Sequence, residues 1–427
     1  MQAILEDGLV LQPDFSLRQE SLVVDGRFVK DRGSATRMRQ SHRGFKRLDF
    51  SGHLVCPGFV NAHTHAALSL ARGLGDGLPL FEMFEKVLFP LEKRVKDADA
   101  YLGALVSGIE FVRTGTTSVH NINASWHKGV VKAFCSLGLR GTLAVACKDT
   151  DIKTHETFKP RGLEENERLV RELEDDALLQ GAFGLANEVE ASQDLIESVR
   201  QKAAERKSII HLHAAESLGE KGFIMQRTGK TSVRYLYDLG VLNERSLAVH
   251  CVNITSSDID LLAKSRATVV HCPTVNLNLA SGISPVREML SKGVSVGIGV
   301  DDPIANMSND LRIELGVAKV LQQSIGGNLS LRNMASMMWN GRVLNSGVGT
   351  IREGGFADLF FLDLRKKVVP ASPNSLLREA LLGRRTVNHS MIGGEWVLKD
   401  KHVLGVDEAR VTRDAQKACD KLTKGIA

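Results

Sequence analysis

The chain has 427 residues, 43% hydrophobic and 25% charged, an ordinary balance for a globular protein with a large core, enough for several domains or for one barrel with an accessory unit. Its formal charge of +5 is the small difference between 55 basic and 50 acidic residues spread along the chain, which leaves no electrostatic footprint for nucleic acid. No stretch reaches transmembrane length, the first residues lack a basic segment followed by a long apolar one, and the six cysteines show no Cys-x-x-Cys spacing. These features describe a cytoplasmic protein with reduced, buried thiols and no membrane or nucleic-acid partner.

In chain order, residues 9–11 and 22–24 are strand-like, and Asp25-Gly26 is a hairpin signal. The basic cluster Arg37, Arg39, Arg43, Lys46 and Arg47 reads as a solvated loop. An apolar run over 54–60 closes on Asn61-Ala62-His63-Thr64-His65. Strand side chains alternate, so His63 and His65 point to one side with Thr64 turned away. Seven further strand-like runs follow, over 116–121, 141–147, 180–186, 208–213, 247–252, 267–272 and 294–300. Helical patterns over 99–114, 163–176, 193–206 and 257–265 separate several of them. Strands alternating with helices imply βαβ units and a parallel sheet, and eight strands fit a closed (β/α)₈ TIM-type barrel. A doubly wound sheet would carry a glycine-rich phosphate turn after its first strand, and none is present. After residue 345 the strand-and-turn texture returns, with a strand and its turn over 354–362 and a hairpin over 391–397. The expected organisation is a small β-sandwich domain from both chain ends, residues 1–56 and 345–427, flanking a metal-dependent barrel over 57–344.

The C-terminal ends of barrel strands share one mouth. The polar residues placed there are His63, His65, His213, His250 and Asp301, with Glu216 three residues past His213. Three imidazoles and a carboxylate suit a mononuclear catalytic metal with one position open to water, whose pKa would drop toward about 7. Zinc and iron both fit such donors. Glu216 could shuttle protons, His250 could hydrogen-bond the hydroxide or the tetrahedral centre, and Asp301 could coordinate weakly and accept the water's proton.

The motifs Pro57-Gly58-Phe59-Val60-Asn61-Ala62-His63-Thr64-His65, His211-Leu212-His213-Ala214-Ala215-Glu216, Ala248-Val249-His250-Cys251-Val252, His271 to Leu277, Leu279 to Val286 and Gly297-Ile298-Gly299-Val300-Asp301 resemble the amidohydrolase superfamily. The branch is the one that holds cytosine, guanine and S-adenosylhomocysteine deaminases and triazine hydrolases. The resemblance runs over nearly the whole chain, including Ala357-Asp358-Leu359 near the end. It implies that His63, His65, His213 and Asp301 are metal ligands, Glu216 the proton shuttle and His250 the hydroxide-orienting residue. His211 and His271 are expected to support the site or the core. His120 would either line the pocket beside Asn121 or sit satisfied in the core.

The segment from Arg72 through Glu92 resembles the loop and helix that cover the site in this branch. There the residue matching Glu92 contacts ribose hydroxyls in adenosine-type deaminases, while a helix-end cap is the plainer reading. Where nucleoside deaminases carry Pro-His-Ala after strand four, this chain reads Gly184-Leu185-Ala186-Asn187-Glu188. Asn187 and Glu188 are therefore expected to bind donor groups of an amino-substituted ring. The arginine that follows strand three in S-adenosylhomocysteine deaminases is not clearly matched, and Lys148 there is expected to be solvated or to face substrate. The resemblance implies deamination of a small heterocycle, a purine, pyrimidine, pterin or related nucleoside, with release of ammonia. Triazine dechlorination and cyclic-amide hydrolysis are the alternatives on the same scaffold. One divalent ion is implied, zinc ahead of iron. Homo-oligomers are common in the family, although no stretch here marks an interface.

Overall fold

The computed structural model describes residues 1–341, 347–365 and 368–426. Eight parallel strands close into a barrel: β1 (Phe59–Thr64), β2 (Thr116–Asn123), β3 (Arg140–Thr150), β4 (Phe183–Leu185), β5 (Ile210–Ala214), β6 (Ser246–His250), β7 (Thr268–His271) and β8 (Ser295–Ile298). Closure comes where Ile298 on β8 pairs with Asn61 on β1, and Asp301 then bridges Thr64. The run expected over 180–186 is two short strands, Leu179–Gly181 and Phe183–Leu185, both paired with β3. The break falls where Gly181 packs on helix Leu163–Glu172; a Cβ there would lie 2.4 Å from Val170 Cα.

Helices cover the barrel. The longest beside it, Asp97–Thr114, buries Ala100, Ala104, Leu105, Phe111 and Val112 and ends on Gly115, whose φ of 91° suits a residue without Cβ. The two chain ends form one nine-stranded sheet, in which His53–Pro57 pairs antiparallel with Leu359–Asp363 and parallel with Gln2–Leu11. His53–Pro57 passes into β1 through Gly58, where a Cβ would sit 1.8 Å from Thr117 Oγ1. The expected divide between residues 344 and 345 lies outside the described residues. No helix among the described residues is long and apolar enough to cross a membrane, and all six cysteines are free thiols.

The basic cluster is not a loop. Ser34 caps a helix over Ala35–Ser41, and Arg39 and Arg47 both bind Glu6 on the terminal sheet, at 2.8 and 2.7 Å. Hydrogen bonds from these two guanidinium groups hold the Glu6 carboxyl down at about 2.

One buried ion pair ties the sheet to the barrel. Arg140, at the start of β3, forks onto Asp358, with Nη2 3.2 Å from Oδ1, and the same oxygen accepts Gly393 N–H at 2.7 Å. The two side chains are 6% and 3% exposed. Asp358→Ala would strand the guanidinium away from water, so a loss of about 3–5 kcal/mol is expected in denaturant titration. The apolar double variant Arg140→Met/Asp358→Leu should recover most of it. A loss below about 1 kcal/mol for the single variant would show that water reaches the arginine.

Candidate metal centre and active site

Alternation along β1 puts His63 inside the barrel, and the chain leaves the strand at His65 to begin a 3₁₀ turn over Ala66–Ala71. His213 comes from the end of β5, and Asp301 follows β8 by three residues. The space for His63 exists because the residue that follows β8 is Gly299, where a Cβ would lie 2.8 Å from His63 O. Ring nitrogens of His63, His65 and His213 lie within 4.8 Å of one another. His63 Nε2 is 3.1 Å from Asp301 Oδ1, and His65 Nε2 is 3.6 Å from the same oxygen.

The hydrogen bonds assign the tautomers. His65 Nδ1 donates to Ile122 O at 2.8 Å, and His213 Nδ1 donates to Ala186 O. A carbonyl cannot donate, so each neutral ring keeps its proton on Nδ1 and presents a bare Nε2. The two Nε2 atoms face each other at 3.3 Å. Lone pairs that close repel, and a shared cation is what turns the repulsion into attraction. Burial pushes His63 and His65 down to about 4 and His213 to about 3, so all three are neutral donors at pH 7. Asp301 Oδ2 is buried without a hydrogen-bond partner. Burial opposes ionisation of Asp301, but the imidazoles of His63, His250 and His65 hold its carboxyl well below the usual range. His63, His65, His213 and Asp301 therefore fit a divalent ion. Cys272 also approaches Asp301 and His250, and burial pushes its thiol far up.

Around these four, the other histidines divide by depth. His211, one layer down β5, shares a 2.8 Å hydrogen bond with His63 Nδ1 and so fixes that ring. His271 is fully buried with both ring nitrogens unpartnered. His250 Nδ1 is paired with Asn276 Oδ1 at 2.9 Å, which turns Nε2 toward Glu216 Oε2 at 3.3 Å. Burial, then the charge of Asp301, lifts Glu216 to about 8, and Ser281 Oγ donates to its Oε1 at 3.2 Å. Ala215, His250, Cys251 and Asp301 all have positive φ, between 45° and 73°. Four non-glycine residues in that region gather strained backbone at one barrel mouth.

The cavity above holds about 830 Å³ including its open mouth. It reaches His65, His213, Glu216, His250 and Asp301 at its floor and Leu80, Met83, Phe84 and Phe89 along one wall. That wall is the expected covering segment, and its middle, Phe84–Leu88, is a π-helical turn. Glu92 and Asn187 line the cavity as expected, and Lys148 does so too.

Two expected binding residues do not reach it. His120 stays inside the barrel against Thr142 Oγ1 at 2.8 Å; β2 runs on to Asn123, and that residue, its amide unpartnered, lines the cavity instead. Glu188 turns away, and its Oε1 accepts Ala215 N–H at 2.9 Å. Glu190 takes its place at the wall. Sequence reasoning also gave no role to Asn276 and Ser281, although both stand within the motifs.

The Amidohydrolase family model matches residues 54–397. The 5-methylthioadenosine/S-adenosylhomocysteine deaminase of Pyrococcus abyssi is 30% identical over 96% of this chain and 97% of its own length. The 5′-deoxyadenosine deaminase of Methanosarcina mazei is 32% identical over 89% of each chain. An adenosine deaminase from Xanthomonas campestris, solved with bound zinc, superposes with a TM-score of 0.90 at 24% identity, over 99% of this chain and 98% of its own. The chain belongs to the amidohydrolase family.

Two outcomes follow from the ring environments. His65→Ala and His213→Ala should each drop bound divalent metal from about one equivalent per chain to below about a tenth by elemental analysis; full retention would place the ion elsewhere. The metal-free protein should lose stability as pH falls from about 6.5 to about 4. Across that window the unfolded histidines bind protons while buried His63 and His65 do not, so protons favour the unfolded chain. An unfolding midpoint flat over that window would show that the rings protonate in place.

Proposed function

We propose that the protein is a metal-dependent aminohydrolase that removes the exocyclic amine of a nitrogen heterocycle, a purine, pyrimidine, pterin or related nucleoside, as ammonia. The observation that carries this reading is the placement of Glu216: a buried carboxyl, 3.3 Å from His250, beside the candidate metal ligands, where burial raises its pKa. Hydrolysis that expels an amine needs a group that can give a proton near pH 7 and take one back, and this glutamate is tuned for both.

In this reading His63, His65, His213 and Asp301 hold one divalent ion, zinc by preference for a nitrogen-rich set. When bound, the ion supplies Lewis acidity that makes hydroxide available near neutral pH. Glu216 protonates the ring nitrogen next to the carbon under attack and regains a proton from the hydroxyl of the tetrahedral centre as the carbonyl forms, while the proton that Asp301 takes from the attacking water passes to the departing amine. His250, its Nδ1 side anchored by Asn276, presents Nε2 to the oxygen of the tetrahedral centre. Asp301 accepts the proton of the attacking water. The aromatic and aliphatic wall from Leu80 to Phe89 keeps bulk water from the reacting ring. Asn123 offers an amide donor and acceptor to the heterocycle. The names of the relatives put adenosine-type nucleosides first among candidate substrates, and the free thiols agree with a reducing compartment such as the cytoplasm.

The test is ammonia release from a panel of aminopurines, aminopyrimidines, aminopterins and adenosine-type nucleosides, using protein of assayed metal content. Glu216→Gln keeps the shape and removes the exchangeable proton, so it should cut turnover by at least about 10²-fold while metal content stays unchanged. Retained turnover in that variant would remove the shuttle assignment.

A further inference from the structure

Glu216 stands on a turn, not on a regular element: it comes two residues after the end of β5 and two before the helix Leu218–Thr228. A carboxyl on such a turn meets His250 reproducibly only if the turn's backbone is held from outside. The structure holds it at three points. Ala215 N–H donates to Glu188 Oε1 at 2.9 Å. Ala215 O accepts the N–H groups of Val252 and Asn253 at 3.0 and 2.9 Å. Glu216 O accepts Asn253 Nδ2 at 2.6 Å, and the same nitrogen donates to Ser281 O at 3.2 Å. Ala215 itself has φ of 51°, a left-handed conformation that needs such anchoring in a residue with a Cβ.

The two side chains in this set come from opposite sides. Strand β5 pairs with β4 on one edge and β6 on the other; Glu188 stands in the loop after β4 and Asn253 in the loop after β6. Glu188 is fixed in turn, because its O accepts Arg227 Nη2 at 3.0 Å from the helix that the turn leads into. Loop, turn and helix thus form a closed ring. Neither Glu188 nor Asn253 lines the cavity.

Glu188 is 1% exposed, and its Oε2 has no hydrogen-bond partner. A carboxyl withdrawn from water with one oxygen idle works against stability, and an apolar side chain of similar volume would suit folding better. What the carboxyl supplies in return is the acceptor for the N–H that precedes Glu216.

Resting on the deaminase reading above, we propose that Glu188 and Asn253 are positioning residues for the reaction: they clamp the Ala215–Glu216 peptide from both sides and so keep the Glu216 carboxyl within hydrogen-bond reach of His250.

The experiment measures kcat and KM for ammonia release, per bound metal, in the holoenzymes of Glu188→Leu, Glu188→Gln and Asn253→Leu, with a substrate found by the panel above. Glu188→Leu fills the space but accepts nothing, and it should lower kcat by at least about tenfold with KM within about threefold of wild type. Glu188→Gln keeps an acceptor oxygen for Ala215 N–H and should return kcat to within about threefold. In a Glu216→Gln background, Glu188→Leu should cost less than about twofold more, since a residue that acts through Glu216 then has nothing left to position. Wild-type kcat in Glu188→Leu, an equal loss in Glu188→Gln, or losses that multiply in the double variant overturn the proposal.

Should Glu188→Leu not fold, Asn253→Leu at its half-buried position carries the same test. A kcat lowered at least about fivefold with KM kept supports the clamp, and an unchanged kcat overturns it. A panel silent with every compound speaks against the deaminase reading and not against the clamp, which crystal structures of the Glu188→Leu and Glu188→Gln holoenzymes then decide. Glu216 out of reach of His250 in the first and within it in the second supports the clamp. Glu216 unmoved in both, or displaced in both, overturns it.

Discussion

The seam between β8 and β1 is the constraint on which the site depends. Asp301 N–H donates to His63 O at 3.0 Å, and Asp301 O accepts His65 N–H at 3.4 Å and Thr64 Oγ1 at 3.1 Å. One residue thus closes the barrel and carries the carboxylate, with φ of 63° where an extended strand would have carried the side chain past the mouth. Its Oδ1 meets His63 Nε2 only because the two backbones are pinned at this spot. Asn61 reinforces the seam by accepting Val300 N–H at 3.2 Å. Barrel closure and assembly of the carboxylate with two imidazoles are the same event.

That coupling explains an arrangement that is poor for stability. His63, His211, His271 and His120 are neutral imidazoles packed where a barrel would ordinarily hold aliphatic layers. Several buried atoms, among them Asn123 Nδ2 and Oδ1, both His271 nitrogens and Asp301 Oδ2, have no hydrogen-bond partner, each at a cost of about 1–3 kcal/mol if left so. The large outer core of Phe59, Phe111, Phe134, Phe183 and Phe360, together with the Arg140–Asp358 link, offsets this expense. Polar interior and apolar shell divide the labour, chemistry inside and folding free energy outside.

How much of this was legible in the sequence follows from what kind of information each feature needs. The eight strands and His63, His65, His213, Glu216, His250 and Asp301 could be placed because alternation and strand ends are local properties. The pairing of 53–57 with 359–363 was legible in character, since both ends share short strands and turns. Glu188 and Glu190 were not separable, because an Asx turn at Asn187, visible only in three dimensions, decides which of the two carboxylates turns inward. His120 and Asn123 share a strand three residues apart, and which one reaches the cavity depended on β2 extending two residues further than its pattern. The basic cluster near Arg39 looked unpartnered because Glu6, its counter-charge, stands more than thirty residues away in sequence.

The site therefore has two halves with different origins. The reacting half comes from strand ends and the barrel seam, so it is tied to the fold and tolerates little displacement. The other half, the cavity wall, comes from the segment Leu80–Glu92 and from loops after β3 and β4, whose shape is set by side-chain turns such as that of Asn187. Loop changes leave barrel closure intact, so the second half can vary while the first is kept, which is how one scaffold serves several substrates. Family membership accordingly speaks for the strand-end half, while Lys148, Glu190 and Glu92 stand in the part of the cavity wall that this chain's own loops shape. The contact between them is Glu216 and its neighbours on the cavity floor: whatever the loops admit must deliver its amine-bearing carbon to a place that the β8–β1 seam has already fixed.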